Sequence, residues 1–172
     1  GNMTAMNSLD GTLTRTLTWD SENRLTRSTD NGVATEYRYD AGGTRVLKRG
    51  AYGEILYVNN NYTIRNGGIE GKHIFLGNSR LATKMAVKGD STASQDTYYY
   101  MGDHLGSSSV ITNNGGQFHE NIEYFPYGET WVHEKVSDYA ESMPFKFTGK
   151  EQDPDTGLYY FFSTLAAILG PW

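Results

Sequence analysis

The feature that most constrains this 172-residue chain is an alternation of period two that turn residues interrupt at short intervals. From residue 13 to residue 19, the side chains of Leu13, Leu17 and Trp19 lie on one face of an extended chain, and threonines lie on the other. The segment 33–39 alternates in the same way. Such alternation is typical of antiparallel strands with one buried face and one solvated face.

Turn sequences separate the alternating segments, and their Gly, Asn and Asp residues adopt positive φ at low cost. Further strands are expected at 24–30, 44–49, 54–58, 61–65, 72–76, 80–87, 96–101, 107–112, 117–124 and 144–148. The sequence therefore predicts an all-β fold in which consecutive antiparallel hairpins form one curved, twisted sheet. Two short helices are also expected, at 134–141 and at 163–169, where Ser163 is the N-cap and Gly170-Pro171 the stop signal.

The composition excludes several classes of protein. The 20 glycines and 13 tyrosines favour turns and strands, so helical bundles and α/β nucleotide-binding folds are not expected. An aromatic content of 13% argues against disorder. The net charge of −5 and the lack of a basic stripe argue against nucleic acid as a partner. Without cysteine, the chain has no disulfide, no thiol catalysis and no zinc–thiolate site.

We divide the chain into three parts. Residues 1–12 lack the basic and apolar regions of a signal peptide and are interpreted as a leader or tag remnant. Residues 13–162 form the predicted β domain, and residues 163–172 form an atypical apolar tail that is too short to span a bilayer. The polar stretch 88–96 is either a loose hairpin loop or a boundary between two blocks.

One pattern occurs twice near the N-terminus. The two copies are Trp19-Asp20 with Arg24, and Tyr39-Asp40 with Arg45. In each copy, we expect the aromatic residue to pack inward and the aspartate to cap its own tight turn. The arginine begins the return strand, and we expect it within reach of that aspartate.

Three further motifs stand in the C-terminal half. They are Asp103-His104-Leu105-Gly106-Ser107, Tyr124-Phe125-Pro126-Tyr127-Gly128-Glu129, and Phe147-Thr148-Gly149-Lys150-Glu151 with Gly157-Leu158-Tyr159-Tyr160. In this order, and after two aspartate turns, they resemble the signature segments of the Rhs/YD-repeat family. The resemblance covers residues 13–162, which look like the end of a YD-repeat array followed by the Rhs repeat-associated core.

The resemblance implies a structural role. In this family the repeats form antiparallel hairpins that spiral into a hollow shell, and the core plugs or turns the end of that shell. The partners implied are flanking YD repeats or a toxin domain in a parent protein, and the location implied is extracellular or at the cell surface. Residues 161–172 replace the family's usual continuation and its self-cleaving Asp-Pro-x-Gly pair. Autoproteolysis and toxin activity are therefore not carried over, and we expect a non-enzymatic encapsulating or interaction module without a cofactor.

A hydrolase built on Asp103, His104 and Ser107 is one alternative. Adjacent strand residues point to opposite faces and no nucleophile-elbow motif is present, so a structural role in a hairpin turn is favoured. The pairs His119-Glu120 and His133-Glu134 meet as a metal site only in a favourable register, and no metal is expected.

Acidic and aromatic residues suggest two further alternatives. Glu151, Asp153 and Asp155 lack the spacing of a calcium loop, and a polar turn explains them more simply than a glycosidase pair. Exposed Tyr and Trp, including Trp19 and Trp131, suit a carbohydrate-binding β module, although cross-strand packing is favoured. We also expect self-association through exposed sheet edges or the apolar tail, because strands taken out of an array leave unpaired backbone groups.

Overall fold

The computed structural model describes residues 1–89, 96–138 and 140–161, together with the backbone of residues 164–166. Thirteen strands form one sheet, in which each strand pairs with the next along the chain. They are β1 (Ala5–Asn7), β2 (Thr14–Trp19), β3 (Leu25–Asp30), β4 (Val33–Tyr39), β5 (Arg45–Gly50), β6 (Gly53–Asn59), β7 (Tyr62–Arg65), β8 (Ile69–Leu76), β9 (Ser79–Val87), β10 (Asp96–Gly102), β11 (Ser108–Thr112), β12 (Phe118–Tyr124) and β13 (Thr130–Lys135). A second, two-stranded sheet consists of β14 (Tyr159–Phe161) and β15 (Thr164–Ala166).

The sheet is an open, curved antiparallel meander, and the predicted all-β fold class is confirmed. The expected strands from residue 13 to residue 124 coincide with β2–β12 to within a few residues. β1 was not expected, and it pairs with β2 through Met6 and Arg15. Part of the stretch 1–12 therefore belongs to the sheet, while the domain boundaries themselves stay a prediction.

The expected helix at 134–141 is wrong. β13 occupies the first part of this segment, and none of the described residues that follow it up to residue 141 is helical. Val132 pairs with Glu123, and His133 with Ile122, across an antiparallel ladder. Pairing with β12 thus overrides a weak local preference for helix.

Two other expected elements also differ from the structure. In place of a strand at 144–148, Phe145 forms a single bridge to Glu151, and a 3-10 turn covers Phe147–Gly149. Within the expected helix at 163–169, residues 164–166 form β15, and the other residues lie outside the described part of the chain.

Among the described residues, five hairpins of the thirteen-stranded sheet share one five-residue turn. In the first, the Asn23 amide donates to the carbonyl of Asp20, the Asp20 amide donates to the carbonyl of Arg24, and Asn23 has a φ of 61°. Equivalent turns begin at Asp40, Asp103, Asn113 and Phe125, each with a glycine at the positive-φ position. The pairing register shifts at a β-bulge beside each turn. A bulge bends its strand, so these hairpins contribute to the curvature of the sheet.

Most of the buried side chains lie on one face of the sheet, which we call the inner face. It carries Leu25, Tyr37, Lys48, Ile55, His73, Tyr100, Ile111 and Ile122. Residues 141–161, which we call the inner segment, lie across this face. Leu158 packs on Leu25 and Tyr37 at one end of the sheet, and Met143 and Phe145 pack on β10 and β11 near the other. The inner segment therefore completes the core and ties distant strands together.

Candidate functional site

The acidic half of the inner segment lies on Lys48 of β5. The Lys48 Nζ donates to Oδ1 of Asp153 and to Oδ2 of Asp155, each at 2.7 Å. Oδ2 of Asp153 accepts a hydrogen bond from the Tyr37 hydroxyl at 2.5 Å. The three charged side chains are at most 2% exposed, so the ammonium and both carboxylates are all buried away from water.

The protonation states in this cluster follow from its contacts. Burial acts to raise the pKa of Asp153, but the Lys48 ammonium and the hydrogen bonds from Tyr37 and from the Asp155 amide outweigh it. The pKa of Asp153 therefore lies below its usual value. Burial and the Asp153 carboxylate both raise the pKa of Tyr37 far above its usual value. At neutral pH, Asp153 is ionised and Tyr37 carries its proton.

A second buried ion pair joins Arg45 to Glu151. The Arg45 Nη2 donates to Oε2 of Glu151 and to the Tyr57 hydroxyl, each at 2.7 Å, and Tyr57 donates to Oε1 of Glu151 at 2.8 Å. The Arg45 Nε and Nη1 have no hydrogen-bond partner among the described residues. The guanidinium carbon lies 4.2 Å from the ring centroid of Tyr160 and 4.5 Å from that of Tyr57, so aromatic faces cover it instead.

Backbone contacts complete this half of the site. The Arg15 guanidinium donates to the carbonyl of Thr156 and pairs with the Asp30 carboxylate. The Tyr52 amide donates to Oδ1 of Asp155 at 3.0 Å. A Cβ on Gly50 would lie 2.5 Å from the Asp155 carboxylate, so glycine is needed for this close approach.

The first half of the inner segment has a different anchor, Glu120 of β12, whose side chain is fully buried. Its Oε2 accepts from the Met143 amide at 2.9 Å, and its Oε1 accepts from the Ser142 hydroxyl at 2.5 Å. The Nε2 of His133 lies 2.5 Å from the same Oε1. Nearby, the Nε2 of His119 lies 3.0 Å from the carbonyl of Glu141.

The arrangement holds a chain segment rather than a reacting group. Lys48 binds the carboxylates of residues 153 and 155, Arg45 binds that of residue 151, and hydrogen bonds take up further lone pairs of Glu151 and Asp153. Sequence reasoning missed this site, because it interpreted these residues as a polar turn. The available signal was the two-residue spacing of the acidic residues at 151, 153 and 155, which places an acidic side chain at every second position.

The two aspartate turns behave differently. Oδ1 of Asp20 accepts from the amides of Glu22 and Arg24, each at 2.9 Å, and Oδ2 accepts from Nε of Arg24 at 2.7 Å. Oδ1 of Asp40 likewise accepts from the Thr44 amide at 2.9 Å. Arg45, however, turns to the inner face and binds Glu151 instead of Asp40.

The aromatic residues of these turns lie beside the first core cluster. Trp19 and Tyr39 are half-buried against Leu25, Tyr37 and Leu158. The Nε1 of Trp19 donates to the carbonyl of Met3 at 2.7 Å. Packing and this hydrogen bond leave Trp19 poorly placed as a sugar platform.

The segment from Asp103 to Ser107 is another copy of the same turn. Oδ1 of Asp103 accepts from the amides of Leu105 and Ser107 at 2.8 Å, and Gly106 has a φ of 80°. Ser107 is buried and its Oγ accepts from the Thr148 amide at 3.1 Å, while His104 is exposed. The three side chains of the hydrolase alternative are therefore not assembled in one cleft.

The segment around Pro126 forms the turn between β12 and β13. The Gly128 amide donates to the carbonyl of Phe125 at 2.8 Å, and the Phe125 amide donates to the carbonyl of Glu129 at 2.7 Å. Phe125, Tyr127 and Trp131 are 45%, 83% and 66% exposed. The ring centroids of Phe125 and Trp131 are 6.0 Å apart, so this turn carries an exposed aromatic pair.

The last motif contributes the middle of the inner segment. Its 3-10 turn has positive φ at Thr148 and Gly149, and the Lys150 amide donates to the carbonyl of Phe147 at 3.0 Å. The Phe147 ring lies 5.6 Å from that of Tyr124 and 6.4 Å from that of Tyr159. Gly157 has a φ of 70°, and its amide donates to the carbonyl of Asp153 at 2.7 Å, which closes the turn before Leu158.

In the described ranges, no group of three or more His, Asp or Glu side chains could hold a metal ion. Over the same residues, no helix is both long and apolar enough to cross a membrane.

No family model matches the sequence. The toxin subunit YenC1 of Yersinia entomophaga is 30% identical in an alignment of 177 positions, which covers 86% of this chain. A solved Photorhabdus luminescens Tc holotoxin pore with a TccC3 mutation matches 90% of this chain with a TM-score of 0.74 at 22% identity. The chain is a homologue of one segment of the toxin subunit YenC1 and shares its fold with part of the Tc holotoxin.

Other relatives share the same stretch. The tRNA nuclease WapA of Bacillus subtilis is 28% identical over 160 residues, and a TcdB2-TccC3-Cdc42 crystal structure matches 94% of this chain with a TM-score of 0.74 at 22% identity. The chain spans only 18% of YenC1, 6% of WapA and 8–9% of these two solved chains. The similarity is therefore to one segment of much longer proteins.

Proposed function

We propose that this chain is a non-enzymatic shell segment of a secreted or surface-exposed protein of the Rhs/YD-repeat, toxin-like type. Its hairpins with aspartate turns correspond to YD repeats, and residues 103–160 correspond to the repeat-associated core. The observation that carries the proposal is the inner segment, which buried ion pairs hold along the inner face of a curved sheet. This arrangement fits the role that the resemblance implies for the repeat-associated core, which plugs or turns the end of a shell.

The partners proposed are flanking repeats and a toxin domain in the same parent protein. Both edges of the thirteen-stranded sheet, at β1 and β13, lack a neighbouring strand among the described residues and can accept one. A TcdB2-TccC3 structure solved without a hypervariable C-terminal region, with a TM-score of 0.73, supports a further domain after the shell. An extracellular or cell-surface location is part of the same proposal, and the similarity to a toxin subunit supports it.

Cryo-electron microscopy of the natural gene product that contains this chain tests the proposal. We expect adjoining strands at β1 and β13, and an inner face turned towards an enclosed cavity. A module that stands apart from any shell, with both edges free, would refute the proposal.

The tRNA nuclease WapA among the relatives calls for a test of the non-enzymatic role. Purified chain incubated with tRNA is expected to leave the tRNA intact on a denaturing gel. Cleavage that co-purifies with the chain and changes upon substitution of a residue within it would overturn this part of the proposal.

A carbohydrate-binding role is the second candidate, and the exposed pair Phe125 and Trp131 favours it. A glycan array is the test, with Trp131→Ala as the variant and Tyr52→Ala, an equally exposed aromatic on another turn, as the matched control. Saturable binding that is lost only in Trp131→Ala would establish this role. No binding by the unaltered chain would remove it.

A further inference from the structure

We propose that His73 is an acid-sensitive anchor of the inner segment, so that residues 141–149 detach from the sheet at acidic pH while residues 151–160 stay bound. This inference goes beyond the shell role, because it assigns a conformational response to one end of the inner segment. It rests on the contacts of a buried imidazole that neither the fold motifs nor the proposed function uses.

His73 lies on β8 beneath the inner segment and is 6% exposed. Its Nε2 lies 3.2 Å from Oγ1 of Thr63 on β7, and its Nδ1 lies 3.1 Å from Oγ1 of Thr83 on β9. The ring of Phe145, from the inner segment, meets the imidazole edge-on with centroids 5.1 Å apart. A single side chain thus joins three elements.

The hydrogen bonds suit a neutral imidazole, which donates through one nitrogen and accepts through the other. The Tyr100 hydroxyl donates to Oγ1 of Thr83 at 3.2 Å, and the Thr83 hydroxyl can in turn donate a hydrogen bond to Nδ1 of His73. A charged imidazolium donates from both nitrogens, so Nδ1 of His73 could no longer accept a hydrogen bond from the Thr83 hydroxyl. Protonation therefore breaks a buried hydrogen-bond chain.

Positive charges face His73 from both neighbouring strands. The Arg80 guanidinium of β9 lies 3.3 Å from the ring centroid of Phe145, and its Nε and Nη1 have no hydrogen-bond partner among the described residues. Arg65 of β7 pairs with Glu141, the first residue of the inner segment, at 2.8 Å. A third positive charge at His73 would repel both guanidinium groups where the inner segment is attached.

Burial, and then the charges of Arg80 and Arg65, lower the pKa of His73 to about 3. A detached, solvated histidine titrates near about 6.5. The anchor therefore contributes its full stability above about pH 6.5 and loses it as the pH falls towards 3. Between pH 7.5 and pH 4.5, the opening equilibrium constant is expected to rise on the order of 100-fold.

The other end of the inner segment responds differently. Lys48 keeps the pKa of Asp153 below its usual value, so this carboxylate stays ionised at pH 4.5. Arg45 remains charged over the whole range and binds Glu151. Opening is therefore confined to the part of the inner segment that lies on β7–β12.

Hydrogen exchange measured by mass spectrometry on the full chain tests the inference, at pH 7.5 and pH 4.5 with rates corrected for intrinsic exchange. The amides of Met143 and Thr148 are expected to lose protection tens-fold at pH 4.5, because their acceptors are Glu120 of β12 and Ser107 of the turn before β11. The amides of Asp153 and Gly157 are expected to keep theirs. Equal loss at both ends, or at neither, would overturn the inference.

Two variants isolate the imidazole. His73→Gln keeps a donor and an acceptor but cannot ionise, so its protection at Met143 is expected to be the same at both pH values after correction. His104→Gln, which changes an exposed histidine, is the matched control and is expected to open at acidic pH like the unaltered chain.

A direct titration keeps the test independent of how well His73→Gln folds. The ring signals of His73 are followed by nuclear magnetic resonance in the unaltered chain, and no titration is expected while the inner segment stays attached. A His73 that titrates near pH 6.5 with Met143 still protected would refute the inference.

Discussion

Replacing Lys48 with methionine is expected to destabilise the chain by about 3–5 kcal/mol, the usual cost of removing one partner from a buried ion pair. Lys48 binds two carboxylates that are 0% and 1% exposed, and methionine of similar length leaves both without this cation. Asp153 retains hydrogen bonds from Tyr37 and from the Asp155 amide, which keeps the loss within this range. With a urea m-value of about 1–3 kcal/mol per molar, the midpoint falls by at least about 1 M.

Urea unfolding followed by circular dichroism at pH 7 measures the effect. Lys72→Met is the matched control, because Lys72 is 59% exposed and lies 3.6 Å from Glu70, an arrangement worth less than about 1 kcal/mol. Adding Asp153→Asn and Asp155→Asn to Lys48→Met is expected to recover much of the loss, since no buried charge remains unpaired.

The pH dependence provides an independent check. In Lys48→Met, burial without a cation raises the pKa of Asp153 above that of the unfolded chain, so the native state of the variant binds the extra proton. The destabilisation is therefore largest at neutral pH and shrinks as the pH falls towards 4. A loss no larger than that of Lys72→Met, or one that grows on acidification, would show that the buried pair does not hold the inner segment.

Three further outcomes are expected. Gly50→Ala places a Cβ against the Asp155 carboxylate and should cost about 1–3 kcal/mol in urea unfolding, whereas Gly68→Ala, with 3.9 Å to its nearest neighbour, should stay within about 0.5 kcal/mol. Asp103→Ala leaves two turn amides without their acceptor and should cost about 1 kcal/mol, which Asp103→Asn should largely restore in the same assay. Deleting residues 163–172 should reduce the mass seen by light scattering at high concentration, because this stretch is uncharged and largely apolar; an unchanged mass would exclude the tail from self-association.

The hairpin meander could be predicted because its causes are local. Alternating side chains and turn residues determine the conformation of the few residues around them, and β2–β12 form where the sequence shows these patterns. β13 could not be separated from a helix on these grounds, since its extended form depends on pairing with β12.

The path of Arg45 shows what sequence patterns leave open. If the two aspartate turns are aligned by their arginines, Arg45 corresponds to Arg24. In the sheet, however, Arg45 pairs with Tyr39 in the same way as Leu25 pairs with Trp19. Arg45 therefore occupies the inward place of Leu25. Shifting an alignment by one residue moves a strand residue to the opposite face of the sheet. An alignment that allows this shift therefore cannot predict which face Arg45 occupies.

The pairing of the buried charges could not be predicted for another reason. Lys48 and Asp153 are 105 residues apart, and their contact exists only after the sheet has curved and the inner segment has crossed it. A lysine in a strand and an aspartate in a turn are both ordinary surface residues in sequence. Only the assembled fold makes them partners.

The bulge beside each shared turn also governs how such a chain grows. A bulge inserts one unmatched residue into one strand of the hairpin, so the two strands differ in path length and the pair bends. When every added hairpin bends in the same sense, the sheet continues to curve instead of becoming flat. The number of hairpins then sets the length of the curved sheet, and the bulge at each turn contributes to its curvature. Duplicating a hairpin together with its bulge would therefore lengthen the sheet and preserve its curvature.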